Sequence, residues 1–324
     1  MIYARTQEVH VITVSNQFNE ALCNLIRNTV NLDYNLHVLG AGLPKLNAVH
    51  FQEEKPKLLL ELLNLKNVNI HDDDLIVFVD GFDVLVQLSK TELLTKYQQI
   101  GSPEILFSGE TYCFPWSLNG VVSTYCSSIM SKIEQPYGLM CNKKMKTWPW
   151  IKQDTCMIIN ENENNQKLSH KIIFPFMNTG LYLAKKKSLI KLLELYMKVY
   201  IEKPMLHGYS DQAIIQDIFA NNDKNDEIVD KYGSILFNIC CPKQLLRKYT
   251  KWDSNQGLSF TLNNEKRVPV FIHWSGSSSK DDHMYNALAN LHRNVSISKI
   301  NNVIVHKNKY NVNQSKHTVQ KCFN

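Results

Sequence analysis

Short β-branched runs alternate with stretches of helically spaced apolar residues through the amino-terminal third of the chain, and few architectures accept that rhythm. Val9 to Ser15 (VHVITVS) predicts a buried strand that stops in a small polar loop. Phe18, Leu22, Leu25, Ile26 and Val30 then fall on one side of a helix over 18–30. Tyr34 to Leu39 reads as a second strand, closed by Gly40 and Gly42, and Lys57 to Leu65 as a leucine-rich helix. Leu75 to Val79 is a wholly apolar strand. Ser89, with Glu92 three places on, has the form of a capping box opening a helix through Tyr97, and Glu104 to Ser108 is the next strand. Strands and helices taking turns in this way predict an α/β fold, a mainly parallel sheet with helices on both faces.

The pattern loosens after Ser117. Residues 117–170 mix aromatics, prolines and the polar stretch Asn160 to Gln166, and read as a long insertion with a mobile loop. Order returns with a strand pair over Ile172 to Ala184 and a helix over Leu189 to Tyr200. Asp211 to Ala220 reads as a further helix with Ser210 as its cap, and Ile235 to Ile239 and Val268 to His273 as further strands. From Ser296 onward the sequence is polar and basic and reads as a frayed tail. The expectation is one domain over 1–295 with an insertion at about 117–170, then a disordered 296–324.

Composition narrows the function. With 44% hydrophobic and 20% charged residues in 324, the chain can build a large core. It has no apolar run of membrane-spanning length. The net charge of +6 is spread along the chain. It suits an anionic small molecule and, without a dense basic block interleaved with aromatics, not a nucleic acid. Met1 to His10 lacks a signal-peptide core, which predicts a cytoplasmic location. The eight cysteines include no C-x-x-C pair and read as reduced thiols, several of them buried.

The strongest chemical signal is Val77-Phe78-Val79-Asp80-Gly81-Phe82-Asp83. An apolar strand delivers Asp80 to its carboxyl end, the edge where open α/β sheets bind ligands, and a turn at Gly81 brings Asp83 round to the same side. Two carboxylates held about 4 Å apart repel unless they are protonated or share a cation. Oxygen ligands favour Mg2+ or Mn2+ over zinc. Taken alone, a D-x-x-D has a plainer account, two aspartates capping a turn and facing water. A second strand, Val270 to His273, also ends in a potential ligand. Gly276, Ser277 and the mobile charge of Lys280 follow it, a loop that suits a diphosphate. Two such strand ends favour a shared metal–diphosphate site. Asn178, before Gly180, can hydrogen-bond a sugar hydroxyl, and Asp211 can oppose positive charge at a reacting carbon or act on the incoming hydroxyl. Asp211 also has the bland reading of a first-turn helix acid, and Tyr112, Phe114 and Trp116 are a sugar-stacking wall or simply core.

In order along the chain these pieces resemble the glycosyltransferase domain of the multifunctional procollagen lysyl hydroxylases and of their free-standing viral and protist relatives. The matching segments begin with Val11-Ile12-Thr13-Val14, Leu39-Gly40-Ala41-Gly42, Lys55 and Phe78 to Val84. Phe107-Ser108-Gly109-Glu110 with Cys113-Phe114-Pro115, Met177 to Leu181, Ser210-Asp211-Gln212 and His273 to Gly276 complete the set. The resemblance runs from about Val9 to Arg293. A shorter set, D-x-x-D, N-x-G, D-Q and H-x-x-G, is similar to the glycogenin-like transferases.

The resemblance implies a GT-A, Rossmann-like fold and a retaining, Mn2+-dependent transferase (Mg2+ as the alternative ion). It implies UDP-glucose as donor and galactosylhydroxylysine of collagen-like chains as acceptor. It implies Asp80, Asp83 and His273 as metal ligands and Val14, Ser15, Asn16, Lys55, Gly81, Phe82, Gly276 and Ser277 around the UDP. Asp211 is then the acid beside the transferred sugar. The chain departs from the family where Ser210 replaces an acid, where Phe114 replaces a tryptophan, where Lys280 stands one place late, and in the longer 117–170 excursion. The competing accounts are a non-catalytic glycan- or collagen-binding relative, for which Ser210 speaks, and a transferase using another UDP-sugar such as UDP-galactose. An Asp-dependent phosphohydrolase needs an aspartate where Phe82 stands.

Overall fold

The computed structural model describes residues 5–41, 43, 48–110, 113–115, 117–118, 121–133, 139–142, 155–158, 174, 176–207, 210–220, 228–239, 250–253, 257–262, 265–275, 283–291, 297–307 and 319–323. The chain opens with β1 (Val9–Val14), α1 (Glu20–Asn31), β2 (Asn35–Ala41), α2 (Ala48–Leu63), β3 (Leu75–Asp80), β4 (Val84–Val86), α3 (Lys90–Gln99) and β5 (Ile105–Glu110). The middle holds β6 (Ser117–Leu118), β7 (Val121–Val122), α4 (Thr124–Ile133), β8 (Leu139–Asn142), β9 (Thr155–Ile158), β10 (Phe176–Lys185), α5 (Lys186–Glu202) and α6 (Asp211–Phe219). Then come β11 (Val229–Asp230), β12 (Leu236–Asn238), β13 (Thr250–Asp253), β14 (Gly257–Leu262), β15 (Glu265–Arg267), β16 (Phe271–His273), α7 (His283–Leu291) and β17 (Val303–Lys307).

One ten-stranded sheet organises the molecule, in the order β17-β2-β1-β3-β10-β5-β12-β16-β4, with β11 beside β5. The pairs β2/β17, β1/β2, β1/β3, β5/β12 and β12/β16 are parallel, whereas β10 runs antiparallel between β3 and β5. This is the mostly parallel α/β architecture expected of a GT-A, Rossmann-like fold. Alternate residues of β1 show how it is buried. Val9 and Val11 pack on the face covered by α1 and α3, and Ile12 and Val14 pack on the face covered by α2, α5 and α6. The capping box at α3 is present, with the Ser89 side chain accepting from Glu92 N and the Glu92 carboxylate accepting from Ser89 N. Among the described residues no helix is long and apolar enough to cross a membrane.

Three expectations are corrected. The strand pair over 172–184 is one ten-residue strand, β10, long enough to bridge β3 and β5. It bulges where Asn178 faces Ser108 but Tyr182 faces Phe107. The frayed tail is tied down over its described parts: Val303 to Lys307 forms the sheet edge against β2, and Cys322 is disulfide-bonded to Cys23 on α1. The sequence hid this because Val303-Ile304-Val305 is too short a β-branched run to stand out among polar residues. The cysteines are likewise not all thiols, since Cys113 also pairs with Cys126. Of the 117–170 excursion, two short hairpins (β6/β7 and β8/β9) and α4 are described. The Asn160–Gln166 loop lies outside the described residues.

Candidate active site

The parallel strands all end at one edge, and polar residues close several of them there. Asp80 ends β3, Glu110 ends β5, Asn238 ends β12 and His273 ends β16. Because β10 is antiparallel, its first half, Phe176 to Gly180, starts from that same edge. Val14 pairs in register with Asp80, so the β1 exit (Val14, Ser15, Asn16) and the β3 exit (Gly81, Phe82) lie side by side. This is the switch point of the topology, where β1 hands on to β2 on one side and β3 on the other.

Asp83 reaches the edge by the predicted turn, and Trp274 N donates to its carbonyl oxygen at 2.8 Å, stitching the turn to the β16 exit. Ligand atoms of Asp80, Asp83 and His273 lie within 4.8 Å of one another. Asp83 Oδ1 stands 3.4 Å from His273 Nε2 and is buried without a hydrogen-bond partner among the described residues. That spacing is loose for a direct bond and suits two ligands of one ion. Burial lowers the His273 pKa, but Asp83, Asp80 and Glu110 outweigh it and leave it raised. Gly180 makes the convergence possible. A Cβ there would sit 2.4 Å from His273 Cε1 and 2.7 Å from Asp80 Oδ2. Two carboxylates and an imidazole over a glycine floor fit Mn2+ or Mg2+.

A buried cation links this group to the second acid. Lys55, carried on α2, donates to Asp80 Oδ1 at 2.8 Å and lies 3.5 Å from Asp211 Oδ2. Burial opposes the charge on Lys55, yet Asp211 and Asp80 together hold its pKa well above the ordinary lysine value. Asp211 is 5% exposed; burial raises its pKa, against the pull of Lys55. Thr179 Oγ1 donates to Asp211 Oδ1 at 3.2 Å, which fixes the other carboxylate oxygen. Ser210 makes no side-chain cap for α6, and its hydroxyl is buried without a partner among the described residues. Its φ of 164° is extended backbone, and it is Asp211 Oδ1 that accepts from Gln212 N at 3.0 Å.

Asn178 is brought to the same edge. Its Oδ1 accepts from Gly180 N at 2.9 Å and its Nδ2 donates to Glu110 Oε1. Glu110 Oε1 also accepts from Asn238 Nδ2 at 3.2 Å, and Ser275 Oγ donates to Asn238 Oδ1 at 2.8 Å. Sequence reasoning gave no role to Glu110, Asn238 or Thr179. The signal was there for the first two, since each is a polar residue closing an apolar strand, as Asp80 and His273 are. Gly276, Ser277 and Lys280, like Tyr112 and Trp116, lie outside the described residues.

Comparison with known proteins gives the same reading of the amino-terminal part. Residues 5–125 match the family model described as the PLOD GT domain. The human multifunctional procollagen lysine hydroxylase and glycosyltransferase LH3 is 31% identical over 117 residues, 35% of this chain and 15% of LH3. The Caenorhabditis elegans multifunctional procollagen lysine hydroxylase and glycosyltransferase is 28% identical over 112 residues, 33% of this chain and 15% of that protein. The alignments thus span about one seventh of those relatives. Among solved structures, a glycosyltransferase involved in the glycosylation of the major capsid of PBCV-1 superposes with a TM-score of 0.42 at 10% identity. That superposition covers 88% of this chain and 98% of the other. The matched 5–125 region takes in the β1 exit, Lys55 and the Asp80–Asp83 turn, whereas Asp211 and His273 come from beyond it.

Proposed function

We propose that the chain is a retaining, divalent-metal-dependent glycosyltransferase that moves glucose from UDP-glucose to a hydroxyl acceptor, galactosylhydroxylysine of collagen-like chains. The observation that carries this reading is the meeting of Asp80, Asp83 and His273 at one strand edge, with Asp211 joined to Asp80 through Lys55. The match of residues 5–125 to the PLOD GT domain model supports the choice of sugar transfer over other metal–diphosphate chemistry.

Held by Asp80, Asp83 and His273, Mn2+ or Mg2+ supplies positive charge that offsets the charge growing on a departing diphosphate, with no proton donor needed. The protein's own residues do the rest. Val14, Ser15, Asn16, Gly81 and Phe82 line the nucleotide at the β1 and β3 exits, and Gly276, Ser277 and Lys280 are assigned to the diphosphate. Lys55 fixes the orientation of Asp80 and counters part of the upward push that burial gives the Asp211 pKa. Asn178, held from both ends of its amide, offers a fixed hydrogen-bonding edge to a sugar. Retention requires the acceptor to arrive on the face that the diphosphate leaves. Asp211 then supports the opposite face of the reacting carbon, as nucleophile or as a fixed negative charge.

The test is UDP release with Mn2+, a panel of UDP-sugars and a galactosylhydroxylysine peptide. Turnover with UDP-glucose is expected, at least ~100-fold reduced in Asp80→Ala and lost on chelation, with unchanged far-UV circular dichroism. No UDP release from any UDP-sugar, hydrolysis to free sugar included, overturns the reading. Transfer only from UDP-galactose keeps the chemistry and corrects the donor.

A further inference from the structure

One buried amide has no place in the donor chemistry. Gln216 is 1% exposed on α6, one turn after Gln212. Its Nε2 donates to the Phe114 carbonyl oxygen at 2.8 Å and lies 3.9 Å from Cys113 Sγ, while its Oε1 is buried with no partner among the described residues. The surroundings are apolar: Ile215, Phe219, Cys113, Cys126 and Ile129 belong to the same core cluster. A leucine would remove an unsatisfied oxygen from that core, so stability gives no reason for the amide.

The same carbonyl takes a second donor. Gln212 Nε2 donates to Phe114 O at 2.6 Å and to Met177 O at 3.0 Å, and its Oε1 accepts from Thr179 N at 3.3 Å. Two amides from successive turns of α6 therefore converge on one backbone atom, and one of them belongs to the residue that follows Asp211. On the other side the Cys113–Cys126 disulfide anchors the segment to α4. Cys113 and Pro115 are buried, yet Phe114 between them is 42% exposed. A firmly bolted backbone, hydrogen-bonded to the residue that follows Asp211, that leaves an aromatic ring in solvent is an arrangement for stacking a sugar ring.

We propose that Gln216, together with Gln212, is a positioning residue that fixes Phe114 as a stacking platform for the sugar of the acceptor. This rests on the transferase reading above. Gln216→Leu is expected to raise the acceptor KM about tenfold, the size of one lost net hydrogen bond, with Tm within a few degrees of the parent because the unsatisfied oxygen is lost with that bond. Acceptor-free hydrolysis of UDP-glucose and Mn2+-dependent UDP binding should stay within about twofold. In a Phe114→Ala background the same substitution should add nothing, because the group it positions is gone. Equal losses in transfer and hydrolysis, or an unchanged acceptor KM, overturn the proposal. A second measurement needs no activity: the rate at which dithiothreitol reduces Cys113–Cys126, read by alkylation and mass mapping against Cys23–Cys322 in the same sample. Selective acceleration of the first bond in Gln216→Leu supports the latch, and no acceleration overturns it. If no UDP-sugar is turned over but that acceleration is seen, the transferase reading fails while the latch stands.

Discussion

At the scale of single residues, the site is a charge arrangement with little slack. Lys55 is the one cation recorded between Asp80 and Asp211 among the described residues, and the Lys55 and Asp211 side chains are each 7% exposed. Removing it leaves a buried acid beside a second carboxylate. Breaking a buried pair from one side costs about 3–5 kcal/mol. Lys55→Met should therefore lower the urea midpoint strongly, and Lys55→Met with Asp211→Asn should recover part of the loss. A double variant no more stable than the single one would show that the lysine stabilises through packing alone.

Gly180 gives a second residue-scale prediction. Its added methyl in Gly180→Ala would press on both His273 and Asp80. The expected result is Mn2+ affinity reduced at least ~10-fold, read by calorimetry, with Tm within a few degrees of the parent. Unchanged affinity would mean that these side chains do not meet around the ion. The meeting of Asp80, Asp83 and His273 at one edge was legible because a polar residue at the end of an apolar run is a local pattern. The Lys55–Asp211 pair and the Thr179 contact were not, since each joins positions whose closeness depends on how α2, β10 and α6 pack.

At the scale of elements, the alternation of strands and helices was readable because burial on both faces imposes it residue by residue. The antiparallel insertion of β10 and the addition of β17 at the edge were not, because strand order is a property of pairing. The β17 edge also carries a pH dependence. His10 Nδ1 and His37 Nε2 are 3.1 Å apart, and His37 Nδ1 and His306 Nε2 are 2.9 Å apart, a row of imidazoles across β1, β2 and β17. At its inner end His10 Nε2 is 3.5 Å from Asp74 Oδ2, with Glu8 and Arg5 acting on the same ring. With one N–H per ring, each pointing toward Asp74, the three imidazoles can hydrogen-bond to one another along the row, and an added proton on His37 sets two donors against each other.

Burial lowers the pKa of all three rings, that of His37 to about 3. The unfolded chain therefore takes up protons below about pH 6.5 that the folded chain refuses, so this stability is complete above that value and drains away as pH falls toward 3. For His37 alone the loss at pH 5.5 is on the order of 1 kcal/mol. Urea midpoints should fall between pH 7.5 and 5, and His37→Leu should flatten that slope while lowering the midpoint at neutral pH. An equal slope in both proteins would remove the histidine row as its cause.

At the scale of the whole molecule, the carboxyl end is the part that sequence patterns misjudged. Local composition from Ser296 is that of a tail, and what orders it is non-local: pairing with β2, and a disulfide whose partners are 299 positions apart. Arg27 Nη1 on α1 donates to the Cys322 carbonyl oxygen at 2.7 Å, and Val319 and Cys322 pack into the α1 side of the core. Cys23 and Cys322 thus close nearly the whole chain into a ring. Disulfides persist where thiols are kept oxidised, which argues against the cytoplasmic location expected from the amino terminus. Removing such a cross-link releases the entropy of a long loop in the unfolded state and costs about 2–5 kcal/mol. The disulfide sits at α1, in the core on the sheet face opposite α2 and α6, the helices that carry Lys55 and Asp211. Cys23→Ser with Cys322→Ala should therefore lower Tm and make the segment after Lys307 the first site of limited proteolysis, while Mn2+-dependent UDP binding at 20 °C stays within about twofold. If binding fell in step with stability, the carboxyl-terminal strap would have to be counted as part of the site and not as its distant support.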